Sequence, residues 1–431
     1  MTCRTLAALL VVALLPAPAT ARTIRTRHVA PGIKVTTIRR WKPNQRIFVA
    51  SVKLSKASSV RTALATGELP GFERTSSMAR RRKAFVAING DYARPSGRPV
   101  MTFARGGRLL QTELTWGRNF AVSGNEKHAY FGHPRVKTYF ERPDAAPLEV
   151  ARVNAGPTGP YKIGMYTEEG GSIERPPRQS CSARLQADSI PRLGPEGTGV
   201  ITRYRVKTTR CSYRPLRTSG GIVLATPRRG ARADDIRSLR RGDTMTMDWS
   251  LGWSGVSETV GGNPTLLEDG RMVVEKSNNP FFLRHPRTGV GITRDERLLL
   301  VAVDGRRPRY SVGMRLREFA RFFRTQGATW ALNLDGGGST TMIVRGRVIN
   351  RPSDGPERPV SSALLVVGRR WRVGDRLVPR SGATAAPTAG EVWEEIAADP
   401  ASTGGLAEAL ADEGRSLDPE LQRAARTFAR R

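Results

Sequence analysis

Apolar spacing divides this chain into a strand-rich body and a different C-terminal stretch. Residues 24–29, 33–38 and 47–54 alternate apolar and polar positions, the pattern of half-buried strands. Residues 84–88 and 298–303 are instead unbroken apolar runs, as in strands covered on both faces. Further strands are predicted at 221–225, 244–249 and 363–367, with short helices at 76–83 and 234–239. Gly106-Gly107, Trp116-Gly117 and Glu268-Asp269-Gly270 mark hairpins, as does the stretch 343–349. Glycines punctuate residues 251–263, which predicts a loop carrying Glu258. Leu316, Phe319, Ala320 and Phe323 recur at helical spacing, so residues 314–326 predict a helix stopped by Gly327. The order strand–helix–strand between Val303 and Asn333 predicts a right-handed crossover between neighbouring parallel strands. Both strands then end on an Asp at one carboxyl edge. The expected fold class is α/β (α+β): a mixed β-sheet with peripheral helices, the active site at strand carboxyl ends, and a C-terminal helical tail.

The ends and the cysteines set the domain plan. Arg4, an apolar run over residues 6–15 and Ala19-Thr20-Ala21 read as a cleavable secretory signal over residues 1–21. No other stretch is long and apolar enough for a transmembrane helix. The main domain is expected over residues 22–378, with a subdomain division near residue 215. Residues 379–431 form an Ala/Pro/Thr/Gly-rich linker and a helical tail. With export, Cys181 and Cys211 read as one disulfide closing an irregular insertion at about residues 172–215.

Charge narrows the partners. The chain carries 71 Lys+Arg against 38 Asp+Glu, a net +33. That balance suits polyanionic surroundings, with electrostatic association to an anionic envelope polymer. Arg is spread through every segment, and no helix-turn-helix, zinc-finger or aromatic-interleaved basic pattern points to specific nucleic-acid binding.

The stretch richest in chemistry is Asn333-Leu334-Asp335-Gly336-Gly337-Gly338-Ser339. An apolar run ends on a carboxylate, and three residues without side chains follow. Backbone N–H groups of Gly336, Gly337 and Gly338, with Ser339, could then cradle a phosphate or a transition-state oxygen. A second strand end, Ile88-Asn89-Gly90-Asp91-Tyr92, and a third, Val303-Asp304-Gly305-Arg306, carry hydrogen-bonding groups on glycine turns.

Taken together with His285-Pro286-Arg287-Thr288-Gly289-Val290-Gly291, Gly313-Met314 and Arg358-Pro359-Val360-Ser361, these pieces resemble the phosphodiester glycosidase family over residues 80–367. Asp91 departs from the pattern, since the family more often has a small residue there. The resemblance implies an exported hydrolase that cleaves the bond between a sugar anomeric carbon and a phosphodiester oxygen. The substrate expected is a glycan or sugar phosphate of the N-acetylglucosamine-1-phosphodiester kind, in cell-envelope or extracellular polysaccharide.

The residues suit such chemistry. A phosphate leaving group needs little general-acid help but does need cationic stabilisation, for which Arg287 and Arg358 are candidates. The sugar side needs one or two carboxylates, and Asp335, Asp304 and Glu258 are the candidates, with either role open to each. Asn89 and Asp91 are candidate substrate contacts. His285 is expected to orient the Arg287 loop. No cofactor or metal site is expected; Asp304 and Asp335 are hard oxygen ligands suited to Ca²⁺ or Mg²⁺, but no EF-hand spacing accompanies them. The competing readings are a non-catalytic binding module for anionic wall polymer and a metal-dependent phosphodiesterase.

Overall fold

The computed structural model describes residues 22–368 except 55–57, 113–116, 127, 156–158, 160, 171–175, 195–198 and 215. The expected signal peptide, the linker and helical tail at 379–431, and the Trp116 side of the second hairpin lie outside the described residues.

The first three alternating segments form Arg22–Ala30, Ile33–Trp41 and Asn44–Lys53, an antiparallel meander. It continues through Arg297–Val303, Arg287–Thr293, Ala328–Asn333, Thr265–Glu268 and Arg271–Met272 into an eight-stranded sheet. Both faces of its centre are covered. Leu298, Leu300 and Ala302 pack with Val86, Ile88, Met342 and Leu364 of a second, five-stranded sheet. Leu299, Val301 and Val303 pack instead with Phe319, Phe322 and Phe323 of the helix Leu316–Thr325. This double burial is why residues 298–303 are apolar without interruption. The adjacent strand must also admit the helix. A Cβ on Gly289 would stand 2.8 Å from the Phe319 ring, and one on Gly291 2.8 Å from the Phe323 ring.

The predicted crossover needs correction. Arg297–Val303 and Ala328–Asn333 run parallel, but Arg287–Thr293 lies between them and is antiparallel to both. Three strand ends therefore share one edge of the sheet: the carboxyl ends carrying Asp304 and Asp335, and the amino end carrying Arg287. Among the described residues the one parallel pairing joins Ala145–Val153 to Ile163–Thr167. The architecture is α+β, dominated by antiparallel strands, with α-helices at Thr75–Arg81, Ala233–Arg237 and Leu316–Thr325.

The cysteine segment also differs from expectation. Ser180–Ala187 and Val200–Ser212 are long strands, and Cys181 sits directly opposite Cys211 with a disulfide between them. Their pairing closes a seven-stranded barrel with Ile222–Pro227, Ile163–Thr167, Ala145–Val153, Lys137–Arg142 and Thr244–Ser250. Inside it, Phe140, Leu148, Met165 and Trp249 pack with Ala233 and Ile236 of the short helix. A third sheet, five-stranded, contains Arg118–Ser123 and Val256–Gly262. The latter replaces the predicted glycine loop at 251–263.

No helix among the described residues is long and apolar enough to cross a membrane.

Candidate functional site

Where the first eight-stranded sheet meets the five-stranded sheet of Val86–Asn89, the chain leaves Ala328–Asn333 and crosses from one to the other. The Leu334 N–H donates to the Thr288 carbonyl at 2.9 Å, and the Asp335 N–H donates to the Gly90 carbonyl at 3.2 Å. Asn89, the last residue of Val86–Asn89, locks this crossing. Its Nδ2 donates to the Asp335 carbonyl at 2.7 Å. Its Oδ1 accepts from Thr288 Oγ1 at 2.8 Å and from the Thr341 N–H at 3.1 Å. Asn89 therefore holds three segments together through bonds internal to the protein. Asp335 is 6% exposed at this junction.

The glycine loop takes a tight turn over Gly337–Ser339, with Gly337 at φ 56°. The Gly337 N–H donates to the Pro286 carbonyl at 3.0 Å, and the Ser339 N–H to the Gly336 carbonyl at 3.1 Å. Those two amides close the turn, so the cradle expected from Gly336, Gly337, Gly338 and Ser339 cannot use all of its N–H groups at once. The absent side chains serve close approach instead. A Cβ on Gly338 would collide with Asp354 Oδ2 and with Arg358 Nη2, so these two side chains lie against the loop. The charge of Arg358 is shared with Asp354, to which Nη2 donates.

Arg287, 2% exposed, opens its strand at the same edge. Nε donates to the Met314 carbonyl at 3.0 Å, and Nη2 donates to the Phe281 and Leu283 carbonyls at 2.6 Å each. The His285 backbone pairs with Met314, whose carbonyl Arg287 Nε reaches. Burial pushes the Arg287 guanidinium down to about 10, so it stays charged at neutral pH.

Asp91 and Tyr92 complete the cluster. Asp91, fully buried, accepts the Met101 N–H at 2.8 Å on Oδ2, while its own N–H donates to Ser362 Oγ at 3.1 Å. The Tyr92 hydroxyl donates to the Asn263 carbonyl and accepts from Asn333 Nδ2, both at 2.8 Å. Burial first, and then the charge of Asp335, push the Tyr92 phenol well above its ordinary range; Arg287 acts in the opposite sense, and Asp91 adds to the rise. One buried phenol thus feels Asp335, Asp91 and Arg287 together. Tyr92 was not among the candidates, although it ends the Asn89-Gly90-Asp91-Tyr92 motif. The signal was present, as a large polar aromatic directly after an Asn-Gly-Asp turn.

Asp304 belongs to the same edge and is held by a different set of partners. Its Oδ1 accepts Asn350 Nδ2 at 3.0 Å, its Oδ2 accepts the Tyr310 hydroxyl at 3.1 Å, and both oxygens accept the Arg351 N–H at 3.0 Å. Asn350 Nδ2 also donates to the Thr340 carbonyl at 2.9 Å, coupling Asp304 to the end of the glycine loop. Nothing local in the sequence marked Asn350 or Tyr310 for this role.

Burial raises the Asp304 carboxyl to about 6, against the opposing pull of Asn350, Arg351 and Tyr310. Between its unfolded value near 4 and that of the folded state, the native protein holds a proton that the unfolded chain has lost. Stability from this group is therefore complete below about pH 4 and is lost as pH rises through 6, by about 3 kcal/mol. Urea titrations from pH 4 to 7 should show this fall in the parent protein and a flatter profile in Asp304→Asn.

Glu258 lies elsewhere. It sits, 1% exposed, on Val256–Gly262. Its Oε2 accepts the Thr62 N–H at 2.9 Å and Thr62 Oγ1 at 2.8 Å, and Oε1 accepts the Gly106 N–H at 3.0 Å. Burial raises its carboxyl, and Arg61 and Thr62 oppose the rise. Glu258 thus belongs to the sheet of Arg118–Ser123, whereas Asp304 and Asp335 follow strands of the eight-stranded sheet. Glu258→Gln should lower the unfolding midpoint and leave KM for any substrate of the glycine-loop site unchanged; steady-state kinetics beside a thermal melt check this.

Among the described residues no group of three or more His, Cys, Asp or Glu side chains is assembled to hold a metal.

A model of the phosphodiester glycosidase family matches residues 199–367 of this β-rich α+β chain. Arg287, Asp304, Asp335 and Arg358 fall inside the match; Asn89 and Asp91 lie outside it and reach the site through the fold. Over 68 residues the chain is 43% identical to mouse (Mus musculus) N-acetylglucosamine-1-phosphodiester alpha-N-acetylglucosaminidase, covering 16% of this chain and 13% of that protein. Over 84 residues it is 39% identical to the SPbeta prophage-derived uncharacterized protein YomE of Bacillus subtilis (strain 168), covering 20% of this chain and 13% of that protein. The chain thus aligns with about an eighth of each relative's length. A crystal structure of a hypothetical protein from Synechocystis shares the fold, with a TM-score of 0.60 at 20% identity over 80% of this chain and 63% of that one.

Proposed function

We propose that the protein hydrolyses the glycosidic bond of sugar-1-phosphodiesters, with N-acetylglucosamine-1-phosphodiesters as the substrate class, on an exported envelope or extracellular polymer. The observation that carries this reading is the juxtaposition of the Asp335 strand exit with the glycine turn covered by Arg358. A carboxylate beside a turn that carries a guanidinium suits a sugar whose anomeric carbon faces the acid and whose phosphate faces the guanidinium. Asp335 acts on the sugar side, as nucleophile or as the base that activates water. Arg358, held in place by its ion pair with Asp354, faces the departing phosphate, and the buried charge of Arg287 adds positive potential. Asp304, Asn350 and Asn89 hold the turn in place. The Cys181–Cys211 bond supports export, since such bonds persist in oxidising compartments.

The test is hydrolysis of UDP-N-acetylglucosamine and of a methyl phosphodiester of N-acetylglucosamine in ¹⁸O-water, with and without EDTA. Label in the sugar hydroxyl is expected, from C–O cleavage, with no effect of EDTA. Label in the phosphate would mean P–O cleavage and a phosphodiesterase. Absence of turnover on both, with retained affinity for anionic polymer, would leave a binding module.

A further inference from the structure

The barrel carries a groove of about 970 Å³, bounded by the paired cysteine strands and by the turn after Ala233–Arg237. Five cations line it: Arg184, Lys207, Arg210, Arg240 and Arg241. No carboxylate is among its lining residues, and none of the five forms an ion pair among the described residues. Elsewhere this chain does pair its arginines, as in Arg61–Glu126, Arg81–Glu73 and Arg205–Asp188. The walls are fixed relative to each other. Thr209 Oγ1 donates to the Leu239 carbonyl at 3.0 Å, the Val206 N–H to the Asp243 carbonyl at 2.8 Å, and the Gly242 N–H to the Val206 carbonyl at 3.0 Å. Five like charges held in one concavity repel one another, so the arrangement is relieved when an anion enters.

We propose that this groove is a second binding site, one that holds a phosphodiester-linked glycan or polyol chain. The choice of ligand rests on the phosphodiester reading of the glycine-loop site, whose polymeric substrate the groove would retain between cuts. The lining favours such a chain over a nucleic acid. It offers Thr208, Ser219 and Gln186 to hydroxyls and phosphates, and no aromatic side chain on which a base could stack. Binding by several phosphate contacts releases counterions, so affinity falls steeply with salt.

The experiment measures binding of a poly(glycerol phosphate) chain at 50–200 mM salt. It compares the parent, the groove variant Arg210→Gln/Arg240→Gln/Arg241→Gln, and the control Arg25→Gln/Arg27→Gln/Arg321→Gln. The control removes equal charge from exposed positions off the barrel. The groove variant is expected to bind about 10-fold more weakly, with a salt slope smaller by about 2, and the control to bind like the parent. Equal weakening in the control means net charge alone, and overturns the site. So does failure of the parent to bind. Single-stranded DNA bound as tightly, and lost in the same variant, assigns the groove to nucleic acid instead. Arg240→Gln/Arg241→Gln, which leaves the barrel strands untouched, repeats the comparison should the triple variant fold poorly. Turnover of the small methyl phosphodiester separates the two ideas. It should be unchanged in the groove variant. If the parent shows none while groove-dependent polymer binding persists, the glycosidase reading fails and the groove stands.

Discussion

Asp335→Asn is expected to lower turnover of the methyl phosphodiester of N-acetylglucosamine by about 10²–10⁴-fold, with KM little changed. The amide matches the carboxylate in shape but can neither accept a proton nor attack the anomeric carbon. The fold should tolerate the change, because the strand exit is clamped through the backbone of residue 335. Its N–H donates to Gly90 and its carbonyl accepts from Asn89, and both bonds survive in the variant. A loss of kcat with an unshifted melt therefore reads as chemistry. Turnover that survives the change would move the role to Asp91, the other carboxylate whose charge reaches Tyr92. Asp91→Asn is the matched comparison, and its melt is expected to shift, because the Asp91 side chain itself anchors the Met101 N–H.

The same cluster shows what a sequence discloses. Alternation located the first meander, and the unbroken run at 298–303 followed from burial on both faces. Those are local consequences of water and oil. The glycines of residues 336–338 were legible as a place where something comes close, but not what. The sequence suggested a ligand, whereas Arg358 and the Pro286–Arg287 backbone occupy much of that space. Val256–Gly262 was misread for a related reason. Ser257, Glu258 and Thr259, with Gly261 and Gly262 close behind, look like a loop when taken alone. They form a strand because Glu258 finds Thr62 and Gly106 far away in the chain, and because Gly261 and Gly262 make room for Asp91 and Asn333. Val200–Ser212 did carry a period-2 signal, with Val200, Thr202, Tyr204 and Val206 buried and Arg203 and Arg205 exposed. The basic residues on its outer face obscured that pattern, and with it the barrel. The insertion of Arg287–Thr293 between two parallel strands had no local signature either, since strand order depends on which surfaces fit. Gly289 and Gly291 fit under Phe319 and Phe323, and that packing is visible only in three dimensions.

Arg287→Ala is the substitution expected to harm stability most, by about 3–5 kcal/mol. The side chain reaches three carbonyls, those of Phe281, Leu283 and Met314, from two separate segments. Removing it leaves these acceptors buried without their donor, at about 1–3 kcal/mol each before relaxation. It also opens a cavity beside Phe281, over which the guanidinium lies at 5.6 Å from the ring centre. Arg287→Lys keeps the charge but loses the fork. A single ammonium cannot direct donors along both the Nε and Nη2 directions, so about half the loss is expected to remain. The pair of variants distinguishes scaffold from ligand contact. If Arg287 serves chiefly as a strut, Lys should recover activity in step with the unfolding midpoint, at temperatures where both variants are folded. If its charge also acts on phosphate, Arg287→Met should fold better than Ala by refilling the cavity, yet turn over more slowly than Lys at equal stability. Urea midpoints and kcat measured on the three proteins decide between these, because stability alone orders them Lys and Met above Ala, whereas charge alone sets Lys apart.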